Sequence, residues 1–550
     1  MILKRFSDYL TDGIRNNWDT NALSNYKGDT LTYGEIAQKT SEIQLIFEAA
    51  GMKKGDKVAL AGKNSVNWGI IYLATVLSEL VIVPILADFK ADAVEHIVNH
   101  SESRLLFASD QIRKIINTEN ISDIEAIFTI EELKIIESGN DKIIDICSNK
   151  NTKFKEKYPN GISASTFEIE PIDNSKLAVI SYTSGTSGIS KGVMLSHNSL
   201  AANMQFAQNN MPLKSGDDIV SFLPLAHAFG CAFEFLFPFT LGCHITFLTK
   251  TPSPQVIMEA FSIIRPRLIL SVPLVIEKIY KNQIMPLLKK PAIKILVKIP
   301  GLNRLLFNKI KKKLYLVFGG NFTELVIGGA ALSHETEHFF NKIGFPYTVG
   351  YGMTECGPLI SYSGWKTFKI ESTGKTVDTM EARIDSSDQQ RIEGEILVKG
   401  ENVMNGYFKN KEATEEVLSK DGWLRTGDMG LIDKDGIIFI KGRVKNMILG
   451  ASGQNVYPEE IESSINNHQL ILESVVKEEN GKLIALVVPD KEVMRLRKFN
   501  DDNLPRIFEY YRKDTNKKLP AYMQISKYII HDEEFEKTPK KSIKRYMYTD

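Results

Sequence analysis

Tyr182-Thr183-Ser184-Gly185-Thr186-Ser187-Gly188-Ile189-Ser190-Lys191-Gly192 continues an apolar run, residues 177–183, that reads as a buried strand. Gly185, Gly188 and Gly192 let the backbone come close to a polyanion. Thr183, Ser184, Thr186 and Ser187 supply hydroxyl donors, and Lys191 supplies a mobile cation. A Walker A loop is ruled out, because Lys191 is preceded by Ser190 and followed by Gly192. The stretch therefore predicts a phosphate cradle at the end of a strand in an α/β protein. By itself it names no reaction.

On either side, further apolar runs at residues 57–61, 81–86, 105–108, 219–225, 245–248, 268–272 and 325–327 are separated by helix-length segments. Such runs predict a large N-terminal domain of parallel or mixed sheets flanked by helices. Thr32 and Glu35 have capping-box spacing ahead of a helix that Gly51 should stop. Residues 70–87 read as a buried helix then a buried strand rather than a bilayer span, because Glu79 and Pro84 interrupt them. After about Lys375 the pattern alternates at 394–398 and 436–440, with a turn at 433–436, which predicts a β-rich subdomain. Pro458 suits a helix N1 position ahead of Glu459, Glu460 and Glu462, and Asn480-Gly481 predicts a hairpin. The expected division is an N-terminal domain over residues 1–442 and a small α+β C-terminal domain over 443–550.

Composition narrows the class. With 550 residues, 43% hydrophobic and 25% charged, the chain is neither disordered nor fibrous. Lys+Arg 68 against Asp+Glu 67 leaves +1, without the positive excess that a nucleic-acid binder needs to displace counterions. Cys147, Cys231, Cys243 and Cys356 lie far apart, which fits neither a disulfide scaffold nor a structural zinc site and suits a reducing compartment. The N-terminus lacks an apolar h-region with a small-residue cleavage site, so a cytoplasmic location is expected.

Two further constellations carry chemistry. Gly350-Tyr351-Gly352-Met353-Thr354-Glu355 joins an aromatic face, a hydroxyl and a carboxylate. Beside bound phosphates, such a carboxylate is the usual holder of Mg²⁺, although an acid at a helix start is an equal reading. Asp428, in Trp423-Leu424-Arg425-Thr426-Gly427-Asp428, can accept from two ribose hydroxyls; in isolation it reads more readily as a turn residue.

Taken in order, these segments resemble the AMP-forming adenylate ligase superfamily of acyl-CoA synthetases, luciferases and peptide-synthetase adenylation domains, over nearly the whole chain. Residues 182–192 are similar to its Tyr-Thr-Ser-Gly-Thr-Thr-Gly-x-Pro-Lys-Gly loop, with Ser187 for Thr and Ser190 for Pro. Gly328-Gly329-Ala330-Ala331-Leu332 resembles the adenine-side strand end, Tyr351 to Glu355 the Tyr-Gly-x-Thr-Glu motif, Asp428 the ribose-binding Asp, and Gly442-Arg443-Val444-Lys445 the hinge. The resemblance implies that a carboxylate attacks the α-phosphate of ATP to give acyl-adenylate and pyrophosphate, and that a thiol then takes the acyl group and releases AMP. It places residues 183–191 on the β- and γ-phosphates, Thr354 on the α-phosphate side, Glu355 on Mg²⁺ and Tyr351 with Gly352, Gly329 and Ala330 near the adenine. Asp428 and Arg443 go to the ribose, and a mobile C-terminal domain turns about Lys445 between the half-reactions. One departure stands out. The family's adenylating Lys aligns with Ser542 in Glu536-Lys537-Thr538-Pro539-Lys540-Lys541-Ser542, which leaves Lys541 as first substitute and Lys540 as second.

Leu223-Pro224-Leu225-Ala226-His227-Ala228-Phe229-Gly230 resembles the segment lining the acyl channel, so His227 and Phe229 are candidate substrate contacts. The run from Ala232 to Phe239 reads either as an apolar channel wall, favouring a fatty acid at about 0.8 kcal/mol per buried CH₂, or as core helix. No acid stands out there as partner for an amino group. Ser452 and Gly453 resemble the pantetheine tunnel of CoA ligases. Residues 278–323 hold many Lys and Arg, no acid, and interleaved Leu and Ile, which suits peripheral contact with an anionic membrane, at the inner face if the chain is cytoplasmic. The expected function is a long-chain fatty acid–CoA ligase using ATP, Mg²⁺ and CoA. The alternatives are a fatty acyl-AMP ligase loading a carrier protein and, because of Ser542, a non-catalytic acyl or nucleotide sensor.

Overall fold

The capping box forms as its spacing requires. The Glu35 N–H donates to the Thr32 hydroxyl at 3.2 Å, and the Thr32 N–H donates to the Glu35 carboxylate at 2.8 Å. Helix Tyr33–Ala49 starts there, and Gly51 follows its end at φ +61°, a left-handed conformation natural to glycine. These details come from a computed structural model, which describes residues 2–184, 190–250, 252–288, 290–297, 299, 301–449, 454–497, 499, 503–538 and 542–549.

The largest sheet has seven strands, in the order Ile135–Ser138, Ala126–Thr129, Ser103–Ala108, Lys57–Ala61, Val81–Ile85, Leu177–Ser184, Ser190–Ser196. The interior pairs are parallel, and both edge strands are antiparallel. The run at 70–87 divides into buried helix Val66–Leu77 and buried strand Val81–Ile85. Strand Ser190–Ser196 folds back on Leu177–Ser184 with Ser184 opposite Ser190, so the glycine-rich stretch joins a hairpin rather than a strand and a helix. The two antiparallel edges make the sheet mixed.

A second sheet orders Asp218–Ser221, His244–Phe247, Asn21–Asn25 and Thr30–Thr32, and a third is the parallel trio Leu268–Ser271, Glu324–Ile327, Tyr347–Val349. The run at 219–225 is shorter as a strand than its apolarity suggests. The Phe222 and Leu223 N–H groups leave the ladder to bond the buried Glu234 carboxylate at 2.9 and 2.8 Å. The β-rich part is the antiparallel sheet Met380–Asp385, Gly394–Gly400, Leu424–Ile432, Ile438–Arg443.

Beyond it, Ile471–Glu479 and Lys482–Pro489 form the expected hairpin, with Asn480 at φ +53° and Gly481 at +72°, and Lys527–Ile530 joins in parallel. Helices Pro458–Asn466 and Leu504–Asn516 help bury a separate core that includes Ile461, Val476, Val487 and Phe508. No helix among the described residues is long and apolar enough to cross a membrane.

His197, at the start of helix His197–Asn210, is 1% exposed, and neither ring nitrogen has a hydrogen-bond partner. Burial lowers its pKa from 6.5 to about 4. The unfolded chain therefore binds a proton that the folded chain refuses, so this stability is intact above pH 6.5 and is lost as pH falls toward 4. Replacing His197 by Leu should remove about 2 kcal/mol of the stability difference between pH 7 and pH 5. Denaturant midpoints of both chains at the two pH values measure it; parallel shifts would refute the assignment.

Candidate functional site

The hairpin that carries the glycine-rich stretch places Lys191 opposite Thr183. Gly192 is needed where it stands, because a Cβ there would lie 2.9 Å from Ile180 Cγ2 and 3.2 Å from the Tyr182 ring. The Lys191 ammonium sits 4.9 Å from the centre of the Tyr407 ring. The Tyr407 hydroxyl donates to Glu355 Oε1 at 2.9 Å. Lys191 and the candidate metal carboxylate are thus connected through a single tyrosine, whose own pKa is raised by burial and by Glu355.

Glu355 does not start an α-helix. It lies in the single tight turn Thr354–Cys356, between strands Tyr351–Gly352 and Leu359–Tyr362. Buried amides hold this turn: Asn203 Nδ2 donates to the Cys356 carbonyl at 3.4 Å and its Oδ1 accepts from Leu359 N–H at 3.1 Å. Asn402 Nδ2 donates to the Leu359 carbonyl at 2.8 Å. With one oxygen fixed by Tyr407, the Glu355 carboxylate suits Mg²⁺, which takes one or two protein oxygens and keeps its waters.

Asp428 is no turn residue either. It lies within strand Leu424–Ile432, directly opposite Arg443 in the register of the neighbouring strand. Its side chain is 7% exposed; Oδ2 accepts from the Tyr351 hydroxyl at 2.7 Å and Oδ1 lies 2.9 Å from Arg443 Nε. Burial raises the Asp428 pKa against the pull of Arg443. Tyr351 is buried, whereas Arg443 and Lys445 are exposed. Gly329, at φ +86°, follows strand Glu324–Ile327 and is exposed together with Ala330. A Cβ on Gly328 would lie 3.0 Å from the Phe229 ring, so this loop packs on the segment that carries His227 and Phe229.

Residues 11–408 match the family described as AMP-binding enzyme, and residues 445–550 match the AMP-binding enzyme C-terminal domain. The chain belongs to the AMP-binding enzyme family. Among AMP-binding enzymes, it is 29% identical to the long-chain-fatty-acid–CoA ligase FadD15 of Mycobacterium bovis, over 84% of this chain and 78% of that one. It is 30% identical to the peroxisomal long chain acyl-CoA synthetase 7 of Arabidopsis thaliana, over 84% and 69%. The fold matches the anthranilate CoA ligase AuaEII in complex with anthranoyl-AMP at a TM-score of 0.79 and 18% identity, covering 100% of this chain and 97% of that one. It matches ATP-bound MatB from Rhodopseudomonas palustris at 0.74 and 22%, covering 99% and 98%.

The remaining expectations for this AMP-binding enzyme divide three ways. Gly185, Thr186, Ser187, Gly188, Ser452, Gly453, Lys540 and Lys541 lie outside the described residues, and Ser184 is described by its backbone alone. His227 and Phe229 are half-buried and stay candidates. The aromatic wall is corrected: Phe233, Phe235, Phe237 and Phe239 are 0% exposed and belong to the main core. What borders space in that segment is smaller. Ala228, Cys231, Ala232 and Leu236 line a narrow, largely apolar cavity that reaches Gly357 behind the Glu355 turn.

An acid does stand in the run. Glu234, within the π-helical stretch Cys231–Leu236, is buried, its pKa is raised well above the carboxylate value by burial, and its Oε2 faces backbone N–H groups. It is a clamp on the end of strand Asp218–Ser221, not a partner for a substrate amine. Tyr407, Asn203 and Asn402 were missed in the sequence because each acts across a long separation.

Proposed function

We propose that this AMP-binding enzyme activates a long-chain fatty acid with ATP and passes the acyl group to CoA. The carrying observation is the meeting of Lys191, Tyr407 and Glu355 on one side and Tyr351, Asp428 and Arg443 on the other. In this reading, Lys191, Thr183, Ser184 and the glycine-rich stretch hold the β- and γ-phosphates, and Thr354 faces the α-phosphate. The Asp428 carboxylate and Arg443 take the ribose, while Tyr351, Gly352, Gly329 and Ala330 frame the adenine. Magnesium, held by Glu355 and the phosphates, would offset negative charge on the triphosphate. Fixing the acid carboxylate in line with the α-phosphorus is alignment chemistry, and a cradle of rigid donors suits it.

The relatives described as long-chain-fatty-acid–CoA ligases support the acyl class. The small cavity beside Gly357 is lined by apolar and small side chains, with no acid among them. We place the domain boundary at 442/443, the hinge at Lys445 and the pantetheine path at Ser452 and Gly453. The decisive assay is pyrophosphate release across short- to long-chain acids, with and without CoA. Long-chain acids should give pyrophosphate, and AMP turnover should depend on CoA. Turnover only with a carrier protein would favour an acyl-AMP ligase, and ATP binding without pyrophosphate from any acid would favour a sensor.

We also propose that a cytoplasmic pool of the enzyme meets an anionic bilayer through helix Leu302–Val317. Leu302, Leu305 and Leu316 are exposed beside Arg304, Lys309, Lys312 and Lys313, while Phe307, Ile310 and Leu314 face inward. Lys281 leaves the expected lipid-facing set, because it donates to the Asn466 carbonyl of the C-terminal part. Flotation with anionic vesicles at low salt should recover the protein, and Leu305→Glu should reduce recovery severalfold. Equal recovery of both would refute this face.

A further inference from the structure

Helix His334–Ile343 presents His334 and His338 one turn apart on the same face. Glu371, from the connection between strands Leu359–Tyr362 and Lys375–Thr376, reaches that face. His334 Nδ1 lies 3.1 Å and His338 Nε2 3.0 Å from the same oxygen, Glu371 Oε1. The three candidate ligand atoms all lie within 4.8 Å of one another. Ligands of one tetrahedral zinc ion, at about 2.0–2.1 Å from the metal, stand about 3.3 Å apart. The two nitrogen–oxygen spacings are therefore already close to those around a single cation.

We propose that His334, His338 and Glu371, none of them assigned to the nucleotide, form a binding site for a borderline divalent cation of the zinc class. Two imidazoles and one carboxylate favour zinc over magnesium, which prefers oxygen ligands. Surrounding features also prepare the position. Glu371 is held at φ +64°, a left-handed conformation uncommon for a residue with a side chain. Its N–H donates at 2.9 Å to Oε1 of Glu337, a buried acid one turn along the helix. The positive end of the helix dipole opposes a cation here, and Glu335, Glu337 and Glu371 supply the compensating negative charge.

The competing description is a pair of surface histidine–glutamate ion pairs. These side chains are about half exposed, so removing one should leave the fold intact. Tag-free full-length protein, stripped with chelator and returned to millimolar magnesium, is titrated with zinc alone at pH 7.5 by calorimetry. One saturable site is expected, weakened at least tenfold in His334→Ala, His338→Ala and Glu371→Gln. Zinc should also raise the melting temperature of the wild type and not of the variants, because a ligand that binds only the folded chain stabilises it. Absence of saturable binding, or variants that bind zinc as the wild type does, would overturn the proposal.

Discussion

Asp428→Ala should lower ATP-dependent pyrophosphate release by on the order of 10²–10³ in kcat/KM. The substitution removes an acceptor proposed for both ribose hydroxyls, and hydrogen bonds to a charged group are worth about 1.5–3 kcal/mol each. It also leaves the buried Tyr351 hydroxyl without its 2.7 Å acceptor and removes the 2.9 Å partner of Arg443. An unsatisfied buried donor costs about 1–3 kcal/mol, so part of the loss should register as a lower melting temperature. Asp428→Asn separates the two effects. Its amide oxygen can still accept from Tyr351, which preserves the fold, while the missing charge releases Arg443 and weakens nucleotide binding. The expected result is a near-normal melting temperature with ATP affinity reduced at least tenfold. Wild-type ATP affinity in a well-folded Asp428→Ala protein would remove Asp428 from the site.

Local signals in this sequence were reliable where the physics is local. The Thr32–Glu35 box, the Pro458 helix start and the Asn480-Gly481 hairpin depend on neighbours a few residues apart, and all form. Asp428 misleads for the opposite reason. Its dipeptide Gly427-Asp428 has turn chemistry, yet pairing with Arg443 across the sheet overrides it. The run containing Phe233 to Phe239 is apolar whether it lines a channel or fills a core, and only the packing distinguishes the two. Glu234 was hidden by its surroundings: an acid inside an aromatic segment is tolerated because two backbone N–H groups, freed where the strand ends at Ser221, bind it. Tyr407 and Lys281 carry no local pattern, since their partners Glu355 and Asn466 lie far away in the chain.

Lys541→Ala should abolish most adenylate formation while sparing thioester formation from preformed acyl-adenylate. A cation beside the α-phosphorus stabilises charge that grows as pyrophosphate leaves, and loss of one such group costs roughly 10²–10³ in rate. Ser542 holds the aligned position of that cation and has only a hydroxyl to offer. The described residues on either side pair with each other: Thr538 N–H donates to the Ser542 carbonyl at 2.8 Å, and Lys544 N–H to the Glu536 carbonyl at 2.8 Å. Lys537, Lys544 and Arg545 are unsuitable substitutes, because Lys537 pairs with Glu473 and Glu534, Lys544 with Glu536, and Arg545 with the buried Glu462. That leaves the Lys540–Lys541 pair. Lys540→Ala should have the smaller effect, and Ser542→Lys in the Lys541→Ala background should restore part of the rate. Pyrophosphate release and CoA-dependent consumption of acyl-adenylate, measured separately, decide the matter. Equal loss in both half-reactions would mean that the basic segment supports the domain rather than the chemistry, and undiminished pyrophosphate release would exclude Lys541 altogether.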